Sequence, residues 1–318
     1  MTAQTSEKIR LVRIAHVYYA HTDFDAAQQF LLDFGLVVAE RQDDKVFYRG
    51  YGPDPFVYCA IKGSSVGFQG AAFMVESMDD LMRASTTLPG ATKIQPLRAP
   101  GGGYIVTFTD PVDGFLFHLV FGQAMAEPSD GLPELDYNFP QTKNREVNKT
   151  QRFTAGPAMV HKLGHFGCCV TDFAKTFSFY TTHFNFKPSD VLHDGLGHDH
   201  TAFLHLDRGM EKVDHHTFFI FEGPKFHIHH ASFEVHDFDT QALGHQWLKE
   251  KGYDVVWGVG RHVLGSQIFD YWWDTSRNMV EHYADGDLVD ETTPVGRDVA
   301  GPDSLHIWGP PLPPTFMI

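Results

Sequence analysis

Three side chains in the C-terminal half of the chain could hold a single metal ion: His165, His230 and Glu281. They stand in Lys162-Leu163-Gly164-His165-Phe166-Gly167, His227-Ile228-His229-His230-Ala231-Ser232-Phe233 and Asn278-Met279-Val280-Glu281-His282-Tyr283. Each stretch is apolar and reads as a strand. Two imidazoles and one carboxylate can occupy one face of an Fe(II) octahedron and leave the other face open. An open face lets a substrate and O₂ meet on the same ion.

The elements that must position these residues come from an internal repeat. His16-Val17-Tyr18-Tyr19-Ala20-His21-Thr22-Asp23-Phe24 matches His165-Phe166-Gly167-Cys168-Cys169-Val170-Thr171-Asp172-Phe173. Both read as a strand, an Asp or Thr cap and an amphipathic helix, over 24–34 and 173–183. Ala71-Ala72-Phe73-Met74-Val75 parallels Ala231-Ser232-Phe233-Glu234-Val235, and helices near 78–88 and 239–251 follow. Each half also ends on a strand, a turn and a strand. Four units of strand, helix and about three more strands make an α+β protein of two similar domains, each of two βαβββ modules. The expected organisation is an N-terminal domain over 1–126, a Pro-, Asn- and Thr-rich linker over 127–157, a C-terminal domain over 158–285 and an extended tail over 286–318. Gly301-Pro302 and Gly309-Pro310-Pro311-Leu312-Pro313-Pro314 should keep that tail on the surface, since repeated Pro cannot join a central sheet.

The repeat carries an internal control. Counting three back from Phe73 and Phe233, and seven on from Asp110 and Asp274, makes His16, Gly70 and Phe117 the N-terminal counterparts of His165, His230 and Glu281. On this count only the second half can hold the metal. Alternation along 228–235 chooses between the adjacent histidines. His229, Ala231, Phe233 and Val235 form a face suited to packing on a helix. Ile228, His230, Ser232 and Glu234 form a polar face suited to the inside of a site, which favours His230 over His229.

Composition narrows the function. The 318 residues carry a net charge of −15, so a phosphate backbone would be repelled and no nucleic-acid partner is expected. No run approaches the length of a membrane span, and residues 1–8 lack a signal-peptide core. Cys59, Cys168 and Cys169 are too few and badly spaced for a disulfide framework, which points to a reducing, cytoplasmic compartment. Gly101-Gly102-Gly103 lacks the helix and lysine of a nucleotide loop. Half of the 20 histidines fall between His193 and His236. Most of these, including His193, His198, His200 and His205, read as loop or surface residues.

The constellation resembles the type I extradiol ring-cleavage dioxygenases of the vicinal oxygen chelate superfamily, most specifically from His165 to Tyr283. The resemblance implies that fold, an Fe(II) held by His165, His230 and Glu281 (ligands that Mn(II) also accepts), and no organic cofactor. It implies three catalytic residues. His216 lies fourteen residues before His230, His262 follows Gly260-Arg261 nineteen before Glu281, and Tyr271 lies ten before Glu281. His215 remains an alternative to His216. The implied reaction opens a catechol beside its two hydroxyls with O₂, giving a muconic-semialdehyde-type acid, in a homo-oligomer. The family's Asp-Pro-x-Gly-Asn turn is here Asp274-Thr275-Ser276-Arg277-Asn278, Thr217 stands where an Asp is common, and Val263-Leu264-Gly265 replaces Gly-Leu, which leaves the particular catechol open. Two rival readings share the fold: another metal-dependent enzyme of the glyoxalase or epimerase kind, and a non-catalytic protein that sequesters a small aromatic.

Overall fold

The computed structural model describes residues 7–129, 132, 134–301 and 304–317. Met1–Ser6 of the N-terminal stretch, Asp130 and Gly131 of the linker and Pro302 of the tail lie outside the described residues. In the N-terminal half the elements are β1 (Leu11–His21), α1 (Phe24–Asp33), β2 (Val37–Arg41), β3 (Lys45–Arg49), β4 (Tyr58–Lys62), β5 (Gly67–Val75), α2 (Met78–Thr87), β6 (Gln95–Pro96), β7 (Tyr104–Thr109) and β8 (Leu116–Phe121). In the C-terminal half they are β9 (Val160–Val170), α3 (Phe173–His183), β10 (Phe186–His193), β11 (Asp199–Leu206), β12 (Val213–Asp214), β13 (Phe218–Glu222), β14 (His227–Val235), α4 (Phe238–Glu250), β15 (Val255–His262), β16 (Ile268–Trp273) and β17 (Met279–Ala284). The tail adds β18 (Leu288–Val289), β19 (Gly296–Val299) and β20 (His306–Trp308).

Local chemistry starts each helix in the same way. Asp23, Ser77, Asp172 and Asp237 accept a hydrogen bond from the backbone N–H three residues on, satisfying a donor the helix cannot pair. Among the described residues no helix is long and apolar enough to cross a membrane.

The two halves build the same sheet. The first has strand order β2-β3-β4-β1-β5-β8-β7-β6. The second runs β10-β11-β13-β9-β14-β17-β16-β15, with β19 added beside β10 and β20 beside β15. In each half two modules meet along one antiparallel seam, β1 with β5 and β9 with β14. This is the vicinal oxygen chelate fold, two domains of paired βαβββ modules. The core crosses between the halves. Phe166 packs against Phe73 and Phe117, and His282 stacks on Phe34 with its Nε2–H donating to the Phe34 carbonyl at 2.7 Å.

Two expectations change. Proline does keep the tail out of the sheet centre, but the tail is not merely laid on the surface. It pairs at both sheet edges, and Phe316 is buried against Trp257, Tyr271 and His229. The counterpart of Glu281 is also displaced by one. Ser232 pairs with both His165 and Glu281, and its equivalent Ala72 pairs with both His16 and His118. His118, not Phe117, therefore answers to Glu281. The turn before it closes from Asp110 to Phe115, whereas the later one closes from Asp274 to Asn278. That extra residue defeats a count from the aspartates.

Candidate metal centre

His165, His230 and Glu281 come from β9, β14 and β17, three neighbouring strands. His165 Nε2 lies 3.1 Å from His230 Nε2 and 3.2 Å from Glu281 Oε2, and His230 Nε2 lies 3.6 Å from that oxygen. All three side chains are buried. Two cis ligands on bonds of about 2.1 Å would stand about 3.0 Å apart, so three electron-pair donors already have the spacing of one octahedral face. Both Glu281 oxygens lack a directed hydrogen bond among the described residues. A buried carboxylate in that condition is costly unless a cation meets it. On these grounds the donor set fits a divalent metal. Burial would raise the Glu281 carboxyl, but the imidazoles of His165, His262 and His230 outweigh it and hold it well below its ordinary range. Burial and neighbouring imidazoles push His230 well below its usual value, so it presents a neutral ring.

The bulge between Ile228 and His230 against β9 overrides simple alternation. His229 does not go to a helix-packing face. Its Nε2–H donates to the Phe316 carbonyl at 2.5 Å, and its Nδ1 lies 2.6 Å from His230 Nδ1. With Nε2 carrying the proton, His229 Nδ1 accepts from His230 Nδ1–H. That leaves His230 Nε2 with a free lone pair facing His165 and Glu281. Gly167 gives the ring room, since a Cβ there would meet Phe219 at 2.6 Å and the His230 ring at 3.2 Å.

The other three expected residues surround this group. The His216 ring lies 4.1 Å from that of His165, between centroids. His215 is one step back, its Nε2 bonded to Asp190 at 2.7 Å. On the other flank His262 Nδ1–H donates to the Leu305 carbonyl at 2.7 Å, so its Nε2 accepts from the Tyr271 hydroxyl at 2.8 Å. Burial and the Glu281 charge raise Tyr271 well above its ordinary value, keeping it a neutral donor. Burial, then the neighbouring imidazoles, lower His216. Phe203, Phe219, Leu264, Leu305 and Phe316 line a cavity beside the cluster.

Sequence reasoning missed Leu305 and Phe316, because a Pro-rich tail carries no periodic signal. It also missed the partners of His215 and His229, although the two His-His dipeptides were the available sign. His205, expected at the surface, is buried and bonded to Ser189 at 2.7 Å. In the N-terminal half His16 and His118 both survive, but each is committed elsewhere. His16 Nε2 meets the Tyr18 hydroxyl, and His118 meets Thr107 and the Gln69 carbonyl. The third position is Gly70, where a Cβ would meet His118 Nε2 at 2.2 Å. Among the described residues, His165, His230 and Glu281 form the one cluster with ligand spacing.

Residues 162–281 match the Glyoxalase/Bleomycin resistance protein/Dioxygenase superfamily. The chain is 28% identical to metapyrocatechase 2 of Cupriavidus necator over 316 residues, covering 96% of this chain and 91% of that protein. It is 33% identical over 152 residues to biphenyl-2,3-diol 1,2-dioxygenase of Paraburkholderia xenovorans, covering 46% of this chain and 47% of that one. Among solved structures, homoprotocatechuate 2,3-dioxygenase of Brevibacterium fuscum in complex with 3,4-dihydroxyphenylacetate superposes with a TM-score of 0.81 at 17% identity, over 98% of this chain and 93% of that one. A Mn(II)-bound glyoxalase of Novosphingobium aromaticivorans superposes at 0.78 with 24% identity, over 95% and 91%. Fold and site together define a vicinal oxygen chelate fold with a candidate metal-binding cluster in its second half. Within that superfamily the chain is similar to the type I extradiol ring-cleavage dioxygenases.

Proposed function

We propose that this protein opens the ring of a catechol beside its two hydroxyls, with O₂ as co-substrate and Fe(II) held by His165, His230 and Glu281, giving a muconic-semialdehyde-type acid. The observation that carries this is the convergence of two imidazole nitrogens and one carboxylate oxygen within 3.6 Å of one another, the carboxylate having no directed hydrogen bond among the described residues. The full-length likeness to metapyrocatechase 2 supports it. When bound, the metal supplies a Lewis acid that gathers both reactants and lowers the pKa of a coordinated hydroxyl.

The chain's own residues handle the protons. Tyr271 donates to His262 Nε2, so its oxygen retains a lone pair for a substrate hydroxyl. A proton leaving that hydroxyl can pass through Tyr271 to His262 Nε2, whose Nδ1–H stays on the Leu305 carbonyl. From the opposite flank His216 acts first as base and then as acid toward the oxygen atoms reacting beside His165. The phenyl rings of Phe203 and Phe219 and the tail give this cavity apolar walls, beside which each of these hydrogen bonds counts for more than in water. A catechol ring bound beside the cluster would lie against Leu305 and Phe316 of the tail. The N-terminal domain, over 1–126, supports the catalytic domain over 158–285 through their shared core, in a homo-oligomer.

Metal analysis with O₂ uptake over a panel of monocyclic, alkylated, bicyclic and trihydroxylated catechols tests the reading. The expected result is about one Fe(II) per chain, stoichiometric O₂ consumption and a yellow product. Full activity without metal, or no O₂ uptake with any catechol in the Fe(II)-loaded protein, overturns it.

A further inference from the structure

We propose that Asp190, acting through His215, sets the tautomer of His216 and thereby makes its Nε2 the proton acceptor of the site. The proposal rests on the reading above that His216 is the acid–base group. Three side chains stand in series. Asp190 Oδ2 lies 2.7 Å from His215 Nε2, and His215 Nδ1 lies 3.1 Å from His216 Nδ1. A carboxylate only accepts, so His215 Nε2 carries the hydrogen. With its hydrogen on Nε2, His215 offers Nδ1 as a lone pair, which assigns the hydrogen between the two rings to His216 Nδ1. That leaves His216 Nε2 without a hydrogen, on a ring 4.1 Å from His165. The opposite tautomer would present a hydrogen there, and that nitrogen could not take one up.

The series is held in place by more than its own bonds. The His215 backbone N–H donates to the Asp287 carbonyl at 3.0 Å, and its carbonyl accepts from the Ser189 hydroxyl at 2.6 Å. Gly265, with φ of +77°, lets the chain pass over the ring, since a Cβ there would meet His215 Nδ1 at 3.0 Å. Gly296 of the tail sits so close to Asp190 that a Cβ would reach Oδ1 at 1.8 Å. The arrangement parallels the Phe316–His229–His230 series, where a carbonyl replaces the carboxylate. The difference in charge suits the difference in role. A ligand needs a lone pair held in place, whereas an acid–base ring must also carry a positive charge for part of the cycle. When a substrate hydroxyl gives its proton to His216 Nε2, no electrons change hands, and the charge on the ring is stabilised through His215 by the Asp190 carboxylate. Asp190 and His215 are positioning residues in this scheme.

The test uses the full-length, metal-loaded protein. Asp190→Leu and His215→Phe should each lower kcat by about 10- to 100-fold, with KM and bound metal unchanged. Asp190→Glu should recover most of the loss. A structural role alone would not move the second readout. In ¹⁵N-histidine spectra of the Zn(II)-loaded chain, the signal that disappears in His216→Phe should report a hydrogen on Nδ1, and in Asp190→Leu it should lose that assignment. Should Asp190→Leu fail to fold, the wild-type spectrum still decides. A hydrogen on Nε2 of His216 in the wild type overturns the proposal. So does wild-type turnover in both Asp190→Leu and His215→Phe while His216→Phe is inactive, and in that case the parent reading stands. Full activity in His216→Phe removes the parent reading itself.

Discussion

Glu281→Gln changes one atom of the candidate metal centre and almost nothing of its shape. The glutamate side chain is fully buried, and His165, His230 and His262 approach its oxygens at 3.2, 3.6 and 3.8 Å. Neither oxygen has a directed hydrogen bond among the described residues, so the substitution breaks none there. What disappears is the negative charge that answers the cation. Neutralising one member of a buried charge pair costs about 3–5 kcal/mol. At about 1.4 kcal/mol per tenfold, the metal Kd should rise by two to three and a half orders of magnitude. Competition with a chelator of known affinity, read as metal per chain, measures this, with far-UV circular dichroism to show that the fold persists. Glu234→Gln is the control. Glu234 is half-buried, pairs with His161 and Lys162 at 3.2 and 3.5 Å, and does not belong to the cluster. Its loss should leave metal affinity where it was. Equal losses in the two variants, or an unchanged Kd in Glu281→Gln, would refute the assignment of the carboxylate ligand.

His216→Phe should keep the fold and the metal yet lower turnover by about 10²- to 10⁴-fold, whereas His230→Phe should lose the metal; iron content and O₂ uptake measured on both separate the roles. A chain ending at Ala300 loses the Leu305 and Phe316 carbonyls that orient His262 and His229, so metal affinity should fall about 10- to 100-fold; affinity equal to that of the full chain would show that the tail is only a cover. Acid should destabilise the protein early. Burial lowers His21 and His205 to about 4, so as pH falls below about 6.5 the unfolded chain takes up a proton at each while the folded one does not. Their contribution is complete above that value and is lost toward pH 4, at about 3 kcal/mol per pH unit near pH 5 for the pair. Urea midpoints at pH 7, 6 and 5 report this, and a flat profile would contradict the burial of the two rings as neutral groups.

Much of the architecture was legible because burial and hydrogen bonding act locally. The repeated His, Thr and Asp-Phe spacing marked a strand, a cap and a helix in both halves, since an Asp before Phe24 or Phe173 satisfies a helix donor wherever the chain goes next. His165, His230 and Glu281 stood out because each is a polar residue in an apolar strand, where it needs a partner. Resemblance to a known family supplied His216, His262 and Tyr271. Neither source could supply registers. One extra residue in the turn after Asp110 moved the counterpart of Glu281 from Phe117 to His118, and one bulge beside Ile228 turned His229 toward the tail. A side-chain period of two makes any such slip reverse every later assignment.

By itself, then, the sequence determined the class of the protein: two copies of a paired-module sheet, a helix begun by an Asp or Thr cap after the first strand of each, and a second copy with two imidazoles and a carboxylate on strands. It could do so because periodicity, capping and the cost of burying a polar group depend on neighbours along the chain. Only the tertiary structure decided that Asp190 and Phe316 lie behind the two His-His pairs, and that a proline-rich tail lines the cavity. Those outcomes depend on residues 25 and 87 positions away from the histidines they bond. Contacts of that range leave no pattern in the chain, because they exist only once the sheet has closed and the tail has paired along its edges.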